Sequence, residues 1–370
     1  MEDGGWRIEV GSQNSEVRGF SIIQHPASRI SQFLIFVTHY NPCLPMNGLI
    51  RITGKRIIFP FYHLVSDEDV PHVKHLYTIR TTKEFILDLD FLLLHYKPIG
   101  IRDFLDSINN DRPLPGNRFL LSFDDGLREF HDVAAPILRW KGIPAVCFLN
   151  SGFIDNIDLF YRYKASLLID RLQNGNDLTG KQKSLENWFG EHHLPFTSDY
   201  LGLLEVSYAN RHILDELALQ LDVHFDEFLQ KHRPYLDSNQ IQELIEQGFT
   251  FGAHSIDHPE YRFLPEKEQI RQTAESIRAI TETFGIKEKL FSFPFTDHGV
   301  KKSFFDMIFD PLQPLADLTF GGAGLKQDSI RRNIQRIPFE GTSLDAKQIL
   351  GTEYLYYMIK SIFGKNLIRR

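Results

Sequence analysis

Short, continuous apolar runs, separated by stretches with helical periodicity, constrain this chain more than any other feature. Phe119-Leu120-Leu121-Ser122-Phe123 is one such run and Ala145-Val146-Cys147-Phe148-Leu149 is another. Strands buried on both faces lose the in–out alternation of a half-exposed strand, and they belong to parallel sheets covered by helices. A helical stretch over 133–141, with Gly142 placed to stop it, joins the two runs into a strand–helix–strand unit. Phe249-Thr250-Phe251-Gly252-Ala253 follows a helix that Ser238 is expected to cap and Gly248 to end. Leu290-Phe291-Ser292-Phe293 follows a helix over 266–284. Upstream, residues 56–63 read as a further buried strand, with a helix over 82–96 after it.

This rhythm organises the rest. Residues 1–55 mix short apolar runs with Gly, Asn and Pro and are expected to form a few strands and loops packed on the main body. Phe33-Leu34-Ile35-Phe36-Val37 reads as one of those strands, being too short to span a bilayer. Residues 56–345 carry the strand–helix pattern, interrupted over 155–235 by polar helical segments that read as an insertion. Residues 346–370 read as a C-terminal helix. Its Tyr356, Tyr357, Ile359, Ile362 and Phe363 are mixed with Lys360, Lys365, Arg369 and Arg370, which fits either a docking helix or a basic face resting on an anionic membrane surface.

A hydrophobic content of 42% and a charged content of 24% are those of a soluble globular protein, and 370 residues suit one barrel with insertions. A net charge of -7 opposes general nucleic-acid binding, which requires a basic surface. Cys43 and Cys147 have no metal-ligand spacing. The acidic start, Met1-Glu2-Asp3, lacks a secretory pattern, so a cytoplasmic location is expected.

Two motifs carry chemistry, each where a strand ends. In Ser122-Phe123-Asp124-Asp125-Gly126, adjacent carboxylates after an apolar strand are costly unless something positive offsets them. One carboxylate can face a cation while its neighbour faces a proton, or the motif is a simple strand-ending turn. In His254-Ser255-Ile256-Asp257-His258 the histidines are four apart, a spacing that a helical turn would bring onto one face. Alone they could be solvated. With one carboxylate they form a three-ligand set that leaves room for water.

The pair resembles the first two motifs of the polysaccharide deacetylase family, the NodB-type carbohydrate esterases of family 4. Residues 236–248 resemble the helix before the second motif, and Phe291-Ser292-Phe293-Pro294-Phe295 resembles the third motif. The resemblance spans roughly 56–155 and 235–340. It implies an α/β fold, a deformed, TIM-like (β/α)7-type barrel with the site at the strand C-terminal ends. It assigns Asp125, His254 and His258 to one divalent metal ion, with zinc expected and cobalt, nickel or manganese as alternatives. Asp124 matches the catalytic base, and the backbone N–H of Phe295 matches an oxyanion donor. Pro294, beside it, is a candidate substrate contact. The implied activity is a metal-dependent N-deacetylase acting on an acetamido group of a polymeric, lipid-linked or nucleotide-linked carbohydrate, in making or modifying a cell-surface polysaccharide. A deformylase or other amidohydrolase of the same family, or a non-catalytic sugar-binding protein on a degenerate barrel, are the alternatives.

The sequence departs from the family pattern twice. Ser292 stands where an Arg normally orients the base. Arg336, from a later strand, either replaces that Arg or is a surface strand-end residue. The late histidine that serves as general acid is also missing, since no His follows His298. Either His298 takes that task, oriented by Asp297, or it is a loop histidine. His63, at the end of the first strand, is either a structural histidine or a substrate contact in the cleft. His72 and His75 are expected in a loop, either solvated or in contact with substrate.

Overall fold

In the computed structural model, residues 45–175, 180 and 182–370 are described. Eight strands form one parallel sheet: β1 (Pro60–Tyr62), β2 (Leu121–Phe123), β3 (Ala145–Leu149), β4 (Thr250–Ala253), β5 (Leu290–Ser292), β6 (Leu318–Gly321), β7 (Asn333–Gln335) and β8 (Ile337–Pro338). Their order is β7-β6-β5-β4-β3-β2-β1-β8. The two edge strands are consecutive in the chain and separated only by Arg336. β7 pairs with β6 at one edge while β8 pairs with β1 at the other. The segment 333–338 is therefore a single kinked stave that closes the sheet. The result is the deformed (β/α)7-type barrel.

Each stave is apolar on both sides because both sides are covered. Along β3, Val146 and Phe148 join Leu120, Leu290, Leu318 and Phe320 in a cluster filling the barrel. Ala145, Cys147 and Leu149 point the other way, into the layer beneath the helices. The outer ring includes α1 (Met46–Thr53), α2 (Thr82–His95), α3 (Ile101–Asn109), α4 (Ala135–Lys141), then, after the insertion, α9 (Ser238–Glu246), α10 (Glu266–Phe284), α11 (Lys302–Ile308) and α12 (Ala346–Ile362). No helix among the described residues is long and apolar enough to cross a membrane.

Several expectations need correction. Residues 46–53, expected as strand and loop, form α1, because Met46, Leu49 and Ile50 recur at helical spacing and bury together. Residues 1–44, with the strand expected at 33–37 and Cys43, lie outside the described residues. The strand read over 56–63 is two, Ile57–Ile58 and β1, broken at Phe59 just before Pro60, which has no N–H to give a ladder. The run at 119–123 breaks beside it, at Leu120, so Ile57–Ile58 and Arg118–Phe119 pair in a small separate sheet with Lys97–Pro98. Asp237, not Ser238, caps α9, in a reciprocal pair with Gln240. Ser238 instead gives its hydroxyl to Asp155.

The insertion is helical: α5 (Tyr161–Asn174), α6 (Gln182–Glu191), α7 (His212–Gln220) and α8 (Phe225–His232). It has its own apolar cluster, including Leu168, Ile169, Phe189, Leu214 and Leu217. The C-terminal helix α12 docks: Ile349, Leu350 and Tyr354 are buried, and the Tyr354 and Tyr96 hydroxyls bond at 2.9 Å. Arg370 is drawn into ion pairs with Asp297 and Asp328, and its side chain is buried.

Candidate metal centre and active site

The site residues read from the sequence lie at or just past the C-terminal ends of parallel strands, where loops converge above the barrel. Asp124 and Asp125 follow β2, His254 and His258 follow β4, Ser292 ends β5, His63 follows β1, and Arg336 sits in the kink between β7 and β8.

The turn after β2 sends its carboxylates apart. Asp125 and Gly126 both adopt left-handed backbone, with φ of 68° and 66°. The left-handed φ at Gly126 favours glycine, and a Cβ there would also push against the Leu149 Cδ2 methyl at 2.6 Å. The histidines are not on a helical turn. They lie in an irregular loop in which Ser255 (φ 69°) and His258 (φ 61°) are left-handed. That loop is held by β3's continuation: Ser151 N donates to Ser255 O (3.1 Å), Gly152 N to Ile256 O (2.9 Å), and the Asn150 amide to His254 O.

The geometry converges on one oxygen. Asp125 Oδ1 lies 3.4 Å from His254 Nε2 and 3.2 Å from His258 Nε2. The three side chains are buried and offer ligand atoms within 4.8 Å of one another. His254 Nδ1 is 2.8 Å from Ser292 O, so it carries the proton and leaves Nε2 with a lone pair toward Asp125. Asp125 Oδ1 and His254 Nε2 have no hydrogen-bond partner. Burial, reinforced by His258 and opposed by Asp124, lowers His254 to about 4, which keeps it neutral at neutral pH. A carboxylate and imidazole nitrogens left unsatisfied in a buried cluster fit a divalent ion such as zinc.

Asp124 faces a different partner. Arg336 Nη1 donates to its Oδ1 at 2.8 Å and Nη2 to its Oδ2 at 2.6 Å, a two-bond fork. The guanidinium also donates to Ser292 Oγ (2.6 Å) and Ser122 Oγ (3.0 Å), and lies 4.3 Å above the Phe61 ring. Burial raises the Asp124 carboxyl, but Arg336 and then His254 outweigh it and hold it below the ordinary range. Arg336 is thus not a surface residue. Its guanidinium occupies the space that the small Ser292 leaves open.

His63 is buried, with Nδ1 paired to Glu340 and the ring 5.3 Å from Tyr77. Burial lowers its pKa, but Glu340, then Asp125 and Asp124, raise it to about 9. His298 is exposed, and Asp297 is turned away from it, bonding Asn333 (2.8 Å), Gln335 (2.6 Å) and Arg370. The structure therefore does not assemble the expected His298–Asp297 pair. His72 is not solvated either. It is buried, 5.1 Å from the Tyr163 ring, and burial lowers it to about 3. Phe295 is left-handed (φ 56°) with its ring 4.7 Å from His258, and Pro294 is buried beside it.

Sequence reading missed Glu340 and Tyr163. A charged residue just past the closing stave, directly after Phe339 and four past Arg336, was the available signal for Glu340. Tyr163, whose hydroxyl donates to Asp125 Oδ2 at 2.7 Å, gave none, because it belongs to the insertion.

A family model described as polysaccharide deacetylase matches residues 205–303, which contain the histidine motif but not Asp124 and Asp125. No curated protein sequence matches the chain. Among solved structures, the Streptococcus pyogenes deacetylase PplD in complex with acetate is similar at 13% identity, over 80% of this chain and 97% of that one, with TM-score 0.50. IcaB from Ammonifex degensii is 16% identical over 81% and 98% (TM-score 0.49). A de-N-acetylase from Aggregatibacter actinomycetemcomitans is 16% identical over 78% and 95% (TM-score 0.47). At 13% identity and TM-score 0.50, the likeness to PplD bears on the fold alone, and it is the fold described above.

Proposed function

We propose that this chain, a member of the polysaccharide deacetylase family, is a metal-dependent hydrolase that removes the acetyl group from an acetamido nitrogen on a carbohydrate. One observation carries the reading. Asp125, His254 and His258 converge on a buried cluster while the adjacent Asp124 is held ionised by Arg336.

Asp125 Oδ1, His254 Nε2 and His258 would hold the ion. When bound, a divalent ion acidifies water and polarises the amide carbonyl. Asp124 takes the proton of the attacking water. The Arg336 fork fixes its orientation and keeps it deprotonated at neutral pH, as a base must be. The backbone N–H of Phe295, by resemblance, faces the developing oxyanion. We assign to His63 the proton given to the leaving amine, since Glu340 pairs with its Nδ1 and, after the opposing effect of burial, raises its pKa to about 9. This places the acid on the first stave rather than on His298.

The work of the family and the carbohydrate nature of its substrates support a role in making or modifying a cell-surface polysaccharide. The test is release of acid from N-acetylated oligosaccharides, lipid-linked sugars and nucleotide sugars by zinc-loaded protein. Acetate release that Asp124→Asn reduces by about 10²–10⁴-fold is expected. Formate from N-formyl analogues, with no acetate, would move the assignment to a deformylase. No turnover by metal-loaded protein on any of these would leave sugar binding without catalysis.

A further inference from the structure

Asp125 uses its two oxygens differently. Oδ1 faces the histidine nitrogens and has no hydrogen-bond partner, whereas Oδ2 accepts from the Tyr163 hydroxyl at 2.7 Å. Tyr163 lies in the first turn of α5, so it is supplied by the insertion and not by the barrel. It is buried: its ring packs 5.0 Å from Phe160 and 5.1 Å from His72. Phe160 in turn lies 4.2 Å from His258. One end of a single helix thus touches two members of the three-residue cluster. The α5 turn is itself anchored, because Phe160 N donates to the Tyr235 hydroxyl at 3.0 Å, and Tyr235 bridges to Leu127, two residues past Asp125.

The geometry points to Tyr163 as a positioning residue of the metal centre. By holding Oδ2, it presents Asp125 as a one-oxygen ligand and sets both the affinity and the coordination number of the ion. This rests on the metal-dependent reading above. A carboxylate free at both oxygens can chelate through both and close a position that water needs. A hydrogen bond to one oxygen disfavours that chelation, and hydrogen bonds of this kind to ligands govern affinity in metal sites. The insertion is in this respect part of the catalytic centre.

Tyr163→Phe removes the hydroxyl and keeps the ring packing. Zinc affinity of the full chain, measured by competition with a chromophoric chelator, should weaken about 10–100-fold. The visible spectrum of the cobalt-loaded variant should lose intensity as a second carboxylate oxygen raises the coordination number. Unchanged affinity and spectrum would overturn the inference and leave the metal site standing. Zinc binding that is absent in the parent protein, or indifferent to His254→Ala, would overturn the metal reading and this inference with it. If Tyr163→Phe does not fold, a crystal structure of the zinc-loaded parent decides. Asp125 Oδ1 alone on the ion, with Oδ2 on Tyr163, upholds the inference, and both oxygens on the ion refute it.

Discussion

Asp124 and Asp125 are neighbours with the same side chain, yet their surroundings differ completely. The left-handed backbone at Asp125 turns its carboxylate toward two imidazoles and a phenol, while Asp124 stays over the barrel interior, where Arg336 meets it. The residue types and positions of this division were legible in the sequence, as was Arg336 as an answer to Ser292. The proposed general acid was not: His63 is paired with Glu340, which is 277 residues away in the chain and brought beside it only by barrel closure. That pair has a pH signature in the metal-free protein. The folded-state pKa of His63 is raised from 6.5 to about 9. Its contribution to stability is therefore full below pH 6.5 and is lost as pH rises through about 9. Chemical denaturation of the metal-free protein from pH 6 to 10 should show the parent losing about 1–3 kcal/mol more than His63→Gln across that window. Parallel profiles would show that His63 is not charged in the folded state.

At the scale of elements, the closing stave 333–338 matters most. It was read only as a strand near Arg336, because β7 and β8 are too short to carry a pattern. The kink between them lets one segment join both edges of the sheet and aims Arg336 inward. The strands that were legible lie in continuous apolar runs such as β3, whereas β6, Leu318–Gly321, was missed although all four of its residues are buried. The histidine loop was misjudged as helical because spacing alone cannot reveal left-handed residues at Ser255 and His258. The seam predicts a specific energetic coupling. Arg336→Met leaves the Asp124 carboxylate buried without its cation and should cost about 3–5 kcal/mol in denaturant titrations. Adding Asp124→Asn to Arg336→Met should recover part of that loss, because the stranded charge is gone. A double variant no more stable than the single one would mean that Arg336 acts through packing on Phe61, not through charge.

For the molecule as a whole, the barrel supplies the platform and the two interruptions of its sequence pattern complete the site. The insertion brings Tyr163 and Phe160 to the Asp125–His254–His258 cluster, and in the docked C-terminal segment Arg370 holds the Asp297 loop next to Phe295. The barrel class followed from local pattern and motif resemblance, and so did the choice of Asp125, His254 and His258, which the structure brings together. Contributions from the insertion did not, since nothing in a polar helical stretch says which face meets the barrel. The central claim is that Asp125, His254 and His258 bind one divalent ion. Its most direct test is metal content after reconstitution with zinc and removal of excess, in the parent and in His254→Ala/His258→Ala. The account predicts about one ion per chain in the parent and its loss in the variant, with both proteins folded. No retained metal in the parent, or equal retention in both, would contradict it.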